Sequence, residues 1–166
     1  DAGELLKGCL GSIAPHVDDI VVVDTGSQDA SKEIARSFGA RVYDFVWEDH
    51  FAKARNETFK YVKTPWYIWI DHDDLLEGGQ FIKEDIEQLQ QRPEFHGIWC
   101  PYWYAVDDYG NCTTLHSRES IIRLDHKFRW QGRVHEVLLP DGPGVWYRDN
   151  RIVWKHSSCR HSFSPG

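Results

Sequence analysis

At 166 residues, 41% of them hydrophobic and 27% charged, the chain is long enough for one globular domain with a buried core. Acids outnumber bases 26 to 19, and the net charge of −7 argues against a nucleic-acid-binding face, so an anionic ligand would need a local device such as a metal or a helix N-terminus. No apolar run reaches the length of a membrane span, the start lacks the pattern of a secretory signal, and Cys9, Cys100, Cys112 and Cys159 show no disulfide-type spacing, which together predict a cytoplasmic protein with reduced thiols.

Leu5, Leu6, Cys9, Leu10 and Ile13 recur at helical intervals and predict a helix over 3–13, broken by Pro15. Ile20 to Val23 is a β-branched run expected as a strand buried on both faces, and it stops at the polar turn Asp24-Thr25-Gly26-Ser27. Ala30, Ile34, Ala35 and Phe38 mark a second helix ended by Gly39, and 41–45 reads as a short strand. A third helix is expected over 51–62, then an apolar strand from Trp66 to Ile70 that runs straight into Asp71-His72-Asp73-Asp74. A fourth helix follows over 82–92. This alternation is the α/β order, with a largely parallel sheet flanked by helices. After Pro93 the segments 96–106, 112–115, 120–124, 128–130, 134–139, 145–147 and 152–155 are short and β-rich. The expectation is one domain, with a nucleotide-binding half over 1–92 and a β-rich half over 93–166.

Ligands of open parallel sheets bind outside the carboxyl ends of the strands. Two polar clusters fall at such ends, one starting at Asp24 and one at Asp71. Three acids in four residues are costly to hold together without a cation, and hard oxygen ligands suit Mg²⁺ or Mn²⁺ bridging to phosphates. The alternative is a solvated acidic turn, in which Asp74 would cap helix 82–92. The aromatic run Trp99-Cys100-Pro101-Tyr102-Trp103-Tyr104 reads either as core or as a cleft whose rings stack on a sugar or base. His156, Cys159 and His161 form the tightest His/Cys cluster, which would hold zinc only with a distant fourth ligand.

The stretch Ile20 to Asp29 resembles the nucleotide-binding strand and turn of family-two glycosyltransferases. Ala54-Arg55-Asn56 resembles the family's third-helix motif, and Trp66 to Asp74 its strand and Asp-x-Asp motif. Gly132-Arg133-Val134-His135-Glu136 and Ile152-Val153-Trp154-Lys155-His156 resemble elements of the subgroup that builds bacterial cell-surface glycans and modifies peptides. The resemblance implies a GT-A fold and an inverting, metal-dependent transfer from a nucleotide-diphosphate sugar, most often UDP-linked, to a glycan, lipid-linked or peptide acceptor. It implies that Asp24, Thr25, Arg55, Asp71 and His135 bind substrate, with Lys53 and His50 as alternatives to Arg55. It further implies that Asp71, Asp73 and His156 hold Mn²⁺ or Mg²⁺.

Inversion requires a base to take the acceptor's proton, and Glu136 is the candidate, with Asp107, Asp108 and Asp125 in reserve. A structural pair with His135, or a substrate clamp, is the alternative for Glu136. The family begins with a strand that would precede Asp1, and its absence together with the lack of any Met implies residues upstream of this sequence. Two other readings compete. A sugar nucleotidyltransferase would carry a Gly-rich basic phosphate loop, and a carbohydrate-binding domain would be all-β.

Overall fold

The computed structural model describes residues 1–156. Helix α1 (Gly3–Ile13) turns Leu6, Cys9, Leu10 and Ile13 inward, while Leu5, expected on the same face, is exposed. Strand β1 (Val21–Asp24) pairs in parallel with β2 (Arg41–Asp44) across helix α2 (Ser31–Ser37). Helix α3 (Phe51–Phe59) stops three residues short of the expected end, and β3 spans only Trp66–Ile68.

The main departure from the expected elements follows the acidic cluster. Asp74 is not a helix cap but the first residue of a further strand, β4 (Asp74–Glu77), ahead of α4 (Ile82–Gln90). Leu76 explains why: burying it in the main core requires an extended chain at this point. The chain then forms β5 (Phe95–Val106), β6 (Cys112–Arg123), β7 (Phe128–Gln131), β8 (Val137–Pro140), β9 (Val145–Arg148) and β10 (Val153–His156). The expected pieces 112–115 and 120–124 are one twelve-residue strand, because β6 pairs with β5 almost along its full length.

The larger sheet has the order β3-β6-β5-β10-β4, with β9 also on β5. Strands β9 and β10 run parallel to β5, whereas β6 on β5, β3 on β6, and β4 on β10 are antiparallel. The two sequence halves therefore share one sheet. Strands β7 and β8 form a separate hairpin that packs against α3 through a cluster containing Ala52, Trp69 and Trp130.

Among the described residues, β1 and β3 do not pair with each other. Between them runs a slot of about 670 Å³, lined by Val21, Val22, Val23, Trp66, Tyr67 and Ile68 and walled by side chains of α1, α3 and α4. The slot explains why Val21 to Val23, expected fully buried, are only half-buried. No helix among the described residues is long and apolar enough to cross a membrane. Cys159 and His161 of the suggested zinc cluster lie outside the described residues.

Candidate active site

The site forms where α3, the segment after β3, the β7–β8 turn, the middle of β6 and the ends of β4 and β10 meet. Its first fixed point is α3. Asn56 donates from Nδ2 to the Trp130 carbonyl and accepts the Trp130 N–H, both at 2.9 Å, so α3 is pinned to β7 by a two-way bond. That bond fixes the neighbouring Arg55, which donates from Nε to Glu136 Oε1 and from Nη2 to Asp71 Oδ1, each at 2.6 Å. Its guanidinium lies 4.9 Å from the Trp69 ring and 4.8 Å from the Trp130 ring. Arg55 is thus an internal ion-pair partner, whereas its alternative Lys53 is engaged by Glu48. His50 keeps a buried Nδ1 without a hydrogen bond.

Glu136 is placed by a tight turn. Gly132 has φ 116, and a Cβ there would lie 3.1 Å from the Glu136 Cα, so the turn closes on its own glycine. The Phe51 N–H donates to the Arg133 carbonyl at 3.0 Å, and Arg133 Nε donates to the Asp49 carbonyl at 2.8 Å, tying the turn to the start of α3. His135 has φ 53 and is exposed beside it.

A second arginine, which sequence reasoning missed, completes the network. Arg118 of β6 donates from Nη2 to Asp71 Oδ2 and from Nη1 to Asp74 Oδ2, each at 3.0 Å. Trp69 and Tyr102 hold it, with ring centroids 4.0 and 4.2 Å away. Charge balance was the available signal, since three clustered acids call for cations, but nothing local in the sequence says which strand supplies one. Burial pushes the Asp71 carboxyl up, but Arg55 and Arg118 outweigh that and hold it below the ordinary carboxylate range. Asp74 goes the other way: burial, aided by Asp71 and Asp73, raises it despite Arg118.

Register brings in the last group. Strand β10 pairs with β4 so that His156 is opposite Asp74. His156 Nδ1 lies 3.6 Å from Asp73 Oδ2 and 3.5 Å from Asp74 Oδ1, and it is buried without a hydrogen bond. Ligand atoms of Asp73, Asp74 and His156 all fall within 4.8 Å of one another. An orphaned buried imidazole nitrogen facing two carboxylates fits a divalent cation, and the two oxygens and one nitrogen suit Mn²⁺ or Mg²⁺. Of the expected set, Asp73 and His156 meet there. Asp71 faces the two arginines, and Asp74 stands third.

The cluster at the end of β1 lies apart. Asp24 is buried, and its Oδ2 accepts the N–H groups of Gly26 and Ser27 at 3.0 Å each, shaping the turn. Thr25, Gly26 and Ser27 line a shallow pocket of about 310 Å³ with Trp47 and Phe51, whose rings meet edge-on at 4.9 Å. Asp107 accepts bonds from Tyr109 and Asn111 in the β5–β6 turn, and Asp125 pairs with Arg123, so these two of the three reserve bases serve local structure, while Asp108 is exposed in the same turn as Asp107. In the aromatic run, Cys100 and Tyr102 are core, while Tyr104 is exposed and stacks on the His156 ring at 5.6 Å.

The model of a family described as "Glycosyl transferase family 2" matches residues 2–150. The SPbeta prophage-derived glycosyltransferase SunS of Bacillus subtilis is 28% identical over 134 residues, covering 79% of this chain and 31% of that protein. A TPR repeat-containing protein of Synechococcus elongatus is 34% identical over 90 residues, covering 53% of this chain and 22% of that protein. The chain spans less than a third of these relatives' length. Among solved structures, Staphylococcus aureus TarS has a TM-score of 0.55 at 17% identity, over 78% of this chain and 28% of that one. A glucosyl-3-phosphoglycerate synthase from Mycobacterium tuberculosis has a TM-score of 0.50 at 19% identity, over 63% and 40%. These likenesses establish the GT-A type of α/β fold.

Proposed function

Because the chain belongs to glycosyl transferase family 2, we propose that it moves a sugar from a nucleotide-diphosphate donor, UDP-linked, to a glycan, lipid-linked or peptide acceptor with inversion. The observation that carries this reading is the convergence of Asp73, Asp74 and the unpartnered His156 Nδ1 beside the Arg55–Asp71–Arg118 network. Asp73, Asp74 and His156 would hold a Mn²⁺ or Mg²⁺ ion, which would supply charge neutralisation for the donor diphosphate. The net acidic chain leaves few other ways to bind such an anion.

In this proposal the nucleoside end lies over Thr25 to Ser27, flanked by Trp47 and Phe51, with Asp24 holding the turn beneath it. Arg55 anchors the boundary between donor and acceptor, because it bonds both Asp71 and Glu136. Glu136 takes the proton from the acceptor as the anomeric carbon bonds to it and its bond to the donor diphosphate breaks, UDP leaving with the electron pair, and His135 lines the acceptor approach from the exposed tip of the turn. The slot between β1 and β3 takes a strand supplied by residues upstream of Asp1, which would make residues 1–92 and 93–166 two parts of one domain. Free thiols at Cys9, Cys100 and Cys112 support a reducing, cytoplasmic setting.

Calorimetry with UDP in the presence and absence of Mn²⁺ tests the reading. Binding that strengthens with metal is expected, and equal affinity in excess chelator would overturn the metal bridge. Incubation with UDP-sugars and analysis of released UDP then tests turnover. A Gly-rich phosphate loop, the mark of a nucleotidyltransferase, is not among the residues lining either pocket.

A further inference from the structure

Asp71, Asp73 and Asp74 repel one another, and the fold answers part of that repulsion with guanidinium groups. Asp71 has both oxygens engaged, Oδ1 by Arg55 at 2.6 Å and Oδ2 by Arg118 at 3.0 Å. Asp74 is split between two sides: its Oδ2 accepts from Arg118, while its Oδ1 accepts from the Tyr102 hydroxyl at 2.8 Å and lies 3.5 Å from His156 Nδ1. Asp73 has no arginine contact among the described residues and faces His156. Arg118 cannot easily swing away, because its guanidinium is clamped between the Trp69 and Tyr102 rings.

We propose that Arg118 is a positioning residue that divides the acidic cluster, withholding Asp71 from the cation and leaving Asp73, Asp74 and His156 as its ligands. The inference rests on the reading of this site as a cation site, but on neither UDP nor transfer. A bidentate fork is needed for the division, since the two acceptors belong to different carboxylates. An arginine that merely braced the fold would have a different signature: its removal would loosen Asp74 and weaken metal binding. A divider predicts the reverse, because its removal frees the Asp71 carboxylate as a further oxygen ligand for the ion.

The test is Mn²⁺ affinity, measured by calorimetry on nucleotide-free protein. Arg118→Met should bind Mn²⁺ about tenfold more tightly than the parent. In the double variant Arg118→Met with Asp71→Asn that gain should vanish, returning affinity to within about threefold of Asp71→Asn alone. Unchanged or weaker binding by Arg118→Met, or a gain that survives loss of the Asp71 carboxylate, would overturn the proposal. If circular dichroism shows Arg118→Met unfolded, Arg118→Lys decides. Its ammonium reaches one acid instead of two, so an affinity gain of about threefold is expected and no gain overturns the proposal. Equal Mn²⁺ binding by the parent and Asp73→Asn would sink the cation site itself, whereas a failure to bind UDP would sink only the transfer reading.

Discussion

Asp73 and Asp74 are sequence neighbours with different surroundings, and their variants should separate cleanly. Asp74 is 1% exposed and bonded to Tyr102 and Arg118, so Asp74→Ala leaves a buried guanidinium short of a partner. The expected cost is about 3–5 kcal/mol in chemical unfolding, well above the loss of about 1 kcal/mol that a helix cap would predict. Among the described residues, the ion-pair partner of Asp73 is His156, across the candidate cation site, so Asp73→Ala should leave the unfolding midpoint nearly unchanged while abolishing metal-enhanced UDP binding. Glu136→Gln keeps the shape and the bond from Arg55 but removes the proton acceptor. Turnover should fall by about two to four orders of magnitude with donor affinity nearly intact. Weakened UDP binding with near-normal turnover would instead make Glu136 a donor clamp.

Elements position these residues through a few clasps. Asn56 joins α3 to β7, and Asn56→Ala leaves the Trp130 N–H and carbonyl without it. A cost of about 1–3 kcal/mol is expected, together with weaker donor binding as Arg55 loses its mount. A second clasp joins α4 to the link between β9 and β10. Arg151 Nη2 lies 2.7 Å from a carboxylate oxygen of each of the buried Asp85 and Asp149, which brings the two acids together. Burial first, then the Asp149 carboxylate, pushes Asp85 up to about 7, while Asp149 is held low. In the folded state the pair therefore keeps a proton that unfolded Asp85 has already released. Stability is present in full below the unfolded value of 3.8 and declines as pH rises toward 7. Thermal unfolding of the parent should accordingly show a lower midpoint at pH 8 than at pH 6 from this pair. Asp85→Asn, which can still donate to Asp149 without charge, should flatten that slope, and an unchanged slope would exclude the pair as its source.

At the scale of the whole molecule, the slot between β1 and β3 is where the sheet is open. Both bordering strands carry apolar side chains, and each already has a partner on its other edge. An upstream segment in the slot would add backbone hydrogen bonds to both borders. A protein extended at its N-terminus should therefore show slower hydrogen exchange at Val21 to Val23 and Trp66 to Ile68 than the 166-residue chain. Equal exchange in the two would remove the proposed strand.

Local features were legible along the chain. Helical spacing located α1, the β-branched run located β1, and the apolar run before the acids located β3. Those signals lie within windows of a dozen residues, where periodicity and turn chemistry act. The strand at Asp74 was not legible, because Leu75 and Leu76 are too short a run to outweigh the acids before them; the core made them extended. Which carboxylates gather around His156 only the assembled sheet reveals. The β4–β10 register sets His156 opposite Asp74, and pairing of β6 with β5 carries Arg118 to acids 44 and 47 residues earlier in the chain. Strand order and register are properties of the assembled sheet, since they minimise unpaired backbone and exposed apolar surface over the whole chain, and no short stretch of sequence contains them.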